Sequence, residues 1–160
     1  MNVITEINDG PLSEALGLLP ERMDSPLARL QVLTTGLQES RLTARRQFGN
    51  GPARGLWQFE RGGGVHGVLT HTASALYARE LCDARRVVPS ATDVWTALET
   101  DDVLAAGFAR LLYWTDPAAL PGLGQVTAAW ALYLRTWRPG KPHAATWPGH
   151  YDNVRQALGI

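Results

Sequence analysis

Cysteine is nearly missing from this 160-residue chain: Cys82 stands alone, which excludes an intrachain disulfide framework. Long apolar runs are missing too, and none approaches the roughly 20 residues that span a bilayer, so no membrane span is expected. Charge is sparse at 19% of residues and formally balanced, so no global field draws the chain to nucleic acid or to an anionic surface. The start, MNVITEINDGPLSE, has neither a basic head nor an apolar centre, and no signal peptide is expected. No phosphate loop is present, because RGGGVHG lacks the Lys-Ser/Thr ending and a preceding strand. His66 and His71 are five apart, off a common helical face, and no carboxylate or thiol completes a ligand set with them; His143 and His150 flank loop residues. Neither a metal nor a cofactor is expected.

What is present reads as one globular domain over residues 1–160, with 45% apolar residues, no internal repeat and no low-complexity tract. Charge is uneven locally: the first 24 residues are acidic, while Arg41, Arg45, Arg46, Arg54 and Arg61 face only Glu60 over residues 41–61. Proline and glycine punctuate a helical pattern. A short helix is expected between Pro11 and Pro20. Ser25 as N-cap and Pro26 at the first helical position open a second, with Leu27, Leu30, Leu33 and Leu37 as its stripe. Residues 43–64 form a glycine-rich loop or short hairpin. Further helices are expected over about 66–86, 90–98, 101–115 and 123–137. An extended, proline-rich segment and a final short helix, YDNVRQALG, ending at Gly159, close the chain over about 141–160 after a core of about 25–140. The class is all-α, or mainly α with a small β-hairpin. Cys82, within ALYARELCDARR, reads as a small packed side chain.

Glu39 breaks this pattern. On a helical wheel it falls almost opposite Leu30, beside Val32, Thr35 and Gly36, on a face that is small and uncharged. A helix apolar on one side and small on the other packs on all sides. A carboxylate at its C-terminal end meets low dielectric and the negative end of the helix dipole, and both raise its pKa. A general acid working near neutral pH needs this. A glutamate at a helix end is ordinarily a solvated surface group; the uncharged run ahead of this one argues otherwise. The loop that follows, GNGPARGLWQF, joins glycines that permit close backbone approach to an amide, Gln58, and two aromatics. Sugar sites pair flat rings with planar hydrogen-bonding groups in this way.

Glu39-Ser40, Leu42 two residues on, and Gly55-Leu56-Trp57-Gln58 resemble the signature of the lysozyme-like lytic transglycosylases and goose-type lysozymes, with Trp57 in place of the usual Met. VLAAGFARLLYW is similar to a later family helix, with Gly107 and Leu111 in register and Val103 in the place of an Asn. TAAWALYLRTW is similar to the region of the family's AAYNAG, with Trp130 in the Tyr position and Asn-Ala-Gly absent. The likeness covers about residues 25–140.

The resemblance implies a lysozyme-like domain that cleaves the β-1,4 bond between N-acetylmuramic acid and N-acetylglucosamine in peptidoglycan. Glu39 would protonate the glycosidic oxygen, and Ser40, Gly55, Trp57 and Gln58 match family positions that form or line the site. A hydrolase wants a second carboxylate, and Glu60 is the candidate, with a solvated loop residue paired to Arg61 or Arg54 as the alternative. Arg45, Arg46 and Arg54 read as a solvated loop face, with acidic stem peptides as the alternative partner. Trp57, Trp130 and Trp137 are candidates for a sugar cleft, as is Tyr133, on the helical face of Trp130. Trp95 and Trp114 read as core, and Trp147 as the residue that pins the proline-rich segment. The implied partners are peptidoglycan glycan strands and other bacteriophage virion proteins. The implied location is a phage virion, or the host cytoplasm until lysis, with action on the periplasmic cell wall. A catalytically inactive lysozyme-like virion structural or assembly protein and a non-catalytic glycan-binding module are the rival readings.

Overall fold

The computed structural model describes residues 2–160, and the fold is all-α, with no strand among the described residues. The chain opens with α1 (Val3–Ile7), a π-helical turn over Asn8–Leu12 and α2 (Ser13–Gly17). Asn2 caps α1 by accepting from the Thr5 amide at 3.0 Å. The helix expected from Pro11 onward therefore begins earlier. Pro11 lies inside the π turn, where its missing N–H and bulky ring are accommodated by the wider winding.

The next helix, α3 (Pro26–Ser40), starts as expected: the Ser25 hydroxyl accepts from the Ala28 amide at 3.0 Å, with Pro26 in the first turn. Every residue from Leu30 to Leu37 is buried, because α7, α9 and the N-terminal turns pack around it. Its small side is occupied by neighbours. A Cβ on Gly36 would stand 2.2 Å from Leu42 Cδ2 and 3.1 Å from the Trp57 indole nitrogen. That indole fills the gap and donates to the Val32 carbonyl at 2.8 Å.

Residues 43–64 form an ordered loop rather than a hairpin. Its β pairing among the described residues is two isolated bridges, Arg46 with Arg54 and Arg54 with Phe59, beside a 3-10 turn over Phe48–Asn50 and a π-helical turn, Arg61–Val65, at its end. Side chains do the holding: Arg45 pairs with Asp102 at 2.5 Å and Arg46 with Glu99. The Trp95 indole donates to the Pro52 carbonyl at 2.8 Å.

The single helix expected over 66–86 is two, α4 (His66–Thr70) and α5 (Ala75–Ala84). His71 is extended, and its Nδ1 accepts from the Ala73 amide at 3.0 Å, while the Ser74 hydroxyl donates to the Val68 carbonyl at 2.7 Å. Side chains in THTAS compete for the backbone partners a continuous helix would use. Cys82, on α5, is buried, and burial pushes its thiol up to about 11.

Then come α6 (Ala91–Leu98) and α7 (Asp102–Trp114), the latter capped by Asp101, which accepts from the Leu104 amide at 2.9 Å. Val103 to Tyr113 is one unbroken buried run, so α7 is the second central helix. Trp114 is half-buried rather than core, with Arg22 and Arg110 over its ring.

The chain closes with α8 (Val126–Trp137) and α9 (Trp147–Leu158). The last helix starts earlier than the sequence suggested, because Pro148 sits in its first turn, where no N–H is needed. Buried residues from α1 through α9 join one hydrophobic cluster.

Candidate active site

The C-terminal end of α3 opens into a groove of about 1300 Å³. One wall is the loop from Ala44 to Gly64. The other is built from the end of α7 with Thr115–Pro117 and from the end of α8 with residues 138–143. Glu39 lies at the junction of these walls, because α3 runs buried beneath the groove and surfaces only in its last turn.

Tyr133, from α8, donates its hydroxyl proton to Glu39 Oε1 at 2.5 Å. Its ring is held by Trp147 at 5.1 Å, nearly parallel, and by Trp130 at 5.2 Å. One layer deeper, the Tyr113 hydroxyl meets Thr35 Oγ1 at 2.5 Å and accepts from the Gln31 amide at 3.2 Å. That amide also donates to the Ala129 carbonyl at 3.0 Å, so the polar groups under the carboxyl are satisfied among themselves.

Burial pushes the Glu39 carboxyl up to about 7. The Tyr133 hydrogen bond opposes this, and the Glu60 charge adds to it. Tyr133 itself is pushed far above the ordinary tyrosine range, chiefly by burial and then by the facing carboxylate. It therefore stays a donor at any working pH. Near neutrality Glu39 holds a proton about half the time, and with Oε1 engaged by Tyr133 that proton is left to Oε2.

Several residues singled out from sequence line the groove with Glu39. Ser40 lies within it, its hydroxyl donating to the Leu56 carbonyl at 2.6 Å, which ties the end of α3 to the loop. Gln58 lines it in a left-handed conformation (φ 50°), its amide donating to the Gly55 carbonyl at 2.9 Å. Glu60 lines the groove, exposed and without an ion pair among the described residues, so the expected alternative pairing to Arg61 or Arg54 is not formed. Gly55 stands behind the wall. It turns at φ 78°, and a Cβ there would lie 2.4 Å from the Leu98 carbonyl oxygen.

Two tryptophans are corrected. Trp57 is fully buried, since the cavity beside Gly36 draws the indole into the core, and it offers no face to a ligand. Trp130 packs on Tyr133 and Trp147 behind the site and does not line the groove. Trp137 does line it: half-buried, it donates to the Trp57 carbonyl at 3.0 Å and stands 5.7 Å from Phe59, edge to face. Trp147 is buried and ties the C-terminal segment to Tyr133, the pinning role expected of it.

Arg45 and Arg46 are spent on their ion pairs. Arg54 donates to the carbonyls of Gly51 and Ala53 and stacks 4.7 Å above Trp95. Trp95 is thus half-exposed, not core, and lines a second hollow of about 830 Å³ that shares Glu60, Gly62 and Gly63 with the main groove. Among the described residues no set of three or more His, Cys, Asp or Glu side chains is placed to hold a metal ion, and no helix is long and apolar enough to cross a membrane. Comparisons with family models, with curated proteins and with solved structures found no match. The chemistry available is therefore read from the groove itself: a carboxyl that can deliver a proton near pH 7, set among amide, hydroxyl and indole groups.

Proposed function

We propose that this protein cleaves the β-1,4 bond between N-acetylmuramic acid and N-acetylglucosamine in bacterial peptidoglycan, with Glu39 as general acid and then general base. The observation that carries the reading is the Glu39–Tyr133 pair at the bottom of the groove, with the carboxyl raised to about 7. The groove volume of about 1300 Å³ exceeds the roughly 300–1,000 Å³ of small-molecule pockets and suits a polymer strand. The signature Glu39-Ser40 with Gln58 supports the same reading, since both partners line the trench beside the carboxyl.

In the proposed reaction Glu39 Oε2 gives its proton to the glycosidic oxygen as the bond to the muramoyl C1 breaks. Tyr133 stabilises the carboxylate left behind. Two completions are open to the resulting sugar cation. Glu39 can take the proton of the muramoyl C6 hydroxyl as that oxygen attacks C1, giving a 1,6-anhydro end. Glu60 can instead hold a water for hydrolysis, its exposure and its unpaired charge suiting it to that role. The setting that fits an enzyme of this kind is a bacteriophage virion or lysis cassette, with other virion proteins as neighbours.

A zymogram on purified peptidoglycan, wild type beside Glu39→Gln, tests the reading. Clearing by the wild type alone is expected. Clearing by neither ends it in favour of an inactive virion protein or a glycan-binding module, and equal clearing by both overturns the role given to Glu39. Mass spectrometry of the released fragments separates the two completions, since the anhydro product is lighter by one water.

A further inference from the structure

The charge on the groove is distributed unevenly. Of its cationic lining residues, Arg46 is paired with Glu99 and Arg135 with Asp116 at 2.8 Å. Arg41, Arg138 and Lys141 are exposed and have no ion pair among the described residues. Lys141 is the only lysine in the chain. Against these three stands Glu60, the one exposed acid of the lining without an ion pair among the described residues. His71 and His143 also face this space.

The backbone supplies a second, independent observation. Arg41 closes α3 at φ 59°, ψ 20°, and Arg138 closes α8 at φ 51°, ψ 55°. Both are left-handed C-terminal positions where glycine is the favoured residue, because any Cβ is strained there. Arginines occupy both positions, one at the end of α3 and one at the end of α8, and both line the groove; Arg86, outside it, shares the conformation. Residues 138–143 are further fixed by Gln38, whose amide donates to the His143 carbonyl at 3.0 Å and whose oxygen accepts from Thr146 at 3.0 Å. The cations therefore sit on an anchored rim.

A β-1,4 glycan backbone is uncharged apart from its substituents, and three unpaired cations have no partner on it. The peptides borne by the muramoyl lactyl group do carry carboxylates. Resting on the peptidoglycan reading above, we infer that Arg41, Arg138 and Lys141 recognise the free carboxylates of the stem peptides and select strands whose peptides are present and not amidated.

The test uses the Glu39→Gln protein, which holds substrate without consuming it, co-sedimented at low salt with three cell-wall preparations. These are intact sacculi, glycan strands freed of stem peptides by an amidase and coupled to sedimentable beads, and intact sacculi whose carboxyls have been converted to amides with carbodiimide and ammonia. Three exposed ion pairs together amount to about tenfold in affinity, so about tenfold tighter retention on the intact wall is expected, declining as salt is raised. Arg41→Gly with Arg138→Gly and Lys141→Gln should bring all three preparations to the same weak retention. Glycine suits both left-handed positions, so this variant is expected to melt no lower than its parent. Equal retention of the parent on the three walls overturns the rim while leaving the cleavage reading untouched. Retention on none of them overturns both.

Discussion

Replacing Tyr133 by Phe isolates the contact on which the proposed chemistry turns. The ring, buried against Trp147 and Trp137, is kept, so the fold should be too. What disappears is the hydroxyl that donates to Glu39 at 2.5 Å. A hydrogen bond to an ionised group is worth about 1.5–3 kcal/mol. The protonated carboxyl also accepts from Tyr133, so only part of that difference favours the ionised form. Taking about 1.4 kcal/mol as the differential, and about 1.4 kcal/mol per pH unit, Glu39 should titrate about one pH unit higher in the variant than in the wild type. A general acid works in its protonated form, so the alkaline limb of the pH–rate profile moves upward by about one unit. The acidic plateau falls by up to about tenfold, because the carboxylate formed in the transition state has lost its donor. The measurement is initial release of soluble fragments from labelled peptidoglycan between pH 4 and pH 9, checked by a carboxyl ¹³C titration of the protein. An alkaline limb that stays put or moves down refutes the claim that Tyr133 stabilises the ionised acid.

Two further expectations concern stability alone. Glu39 titrates higher folded than unfolded, so its contribution is fully present below about pH 4.5 and is lost as pH rises through about 7. That gap is worth about 3 kcal/mol at about 1.4 kcal/mol per pH unit, so Glu39→Gln should gain up to about 3 kcal/mol over wild type at pH 8 and nothing at pH 4 in urea melts; a gain independent of pH would contradict the burial argument. Gly36→Ala should cost about 1–3 kcal/mol in the same melts, because the added methyl meets Leu42 and the hydrogen-bonded Trp57; an unchanged midpoint would show that the gap beside α3 is looser than the packing implies.

Much of the scaffold was legible because it follows short-range rules. Ser25-Pro26, Ser90 and Asp101 mark helix starts. Glu39 was legible for a related reason: a carboxylate ending an otherwise uncharged helix leaves few places for that helix to lie. What escaped were outcomes set by distant partners. Whether Trp57 faces a ligand or the core is decided by Gly36, some twenty residues away and across a helix–loop contact, and no periodicity in the loop records that. Trp130 and Trp137 share a helix, and only the placement of α9 behind one and of Phe59 beside the other separates buffer from lining. The break at His71 was missed because a hydrogen-bonding side chain and a helix former look alike until the backbone groups are assigned. Arg41 and Arg138 carry no sequence signal as cap residues, since glycine is the residue that announces that position.

The stacking of Trp147 under Tyr133 has an architectural consequence. A boundary drawn after about residue 140, where motif likeness ends, would remove the indole on which the tyrosine rests, and with it the α9 surface that lies along α3. The carboxyl's partner would then lose its backing although every recognisable motif survived. Anyone trimming this molecule, or grafting its groove onto another scaffold, must carry the tail helix along: it is the foundation of the trench and not an appendage to it.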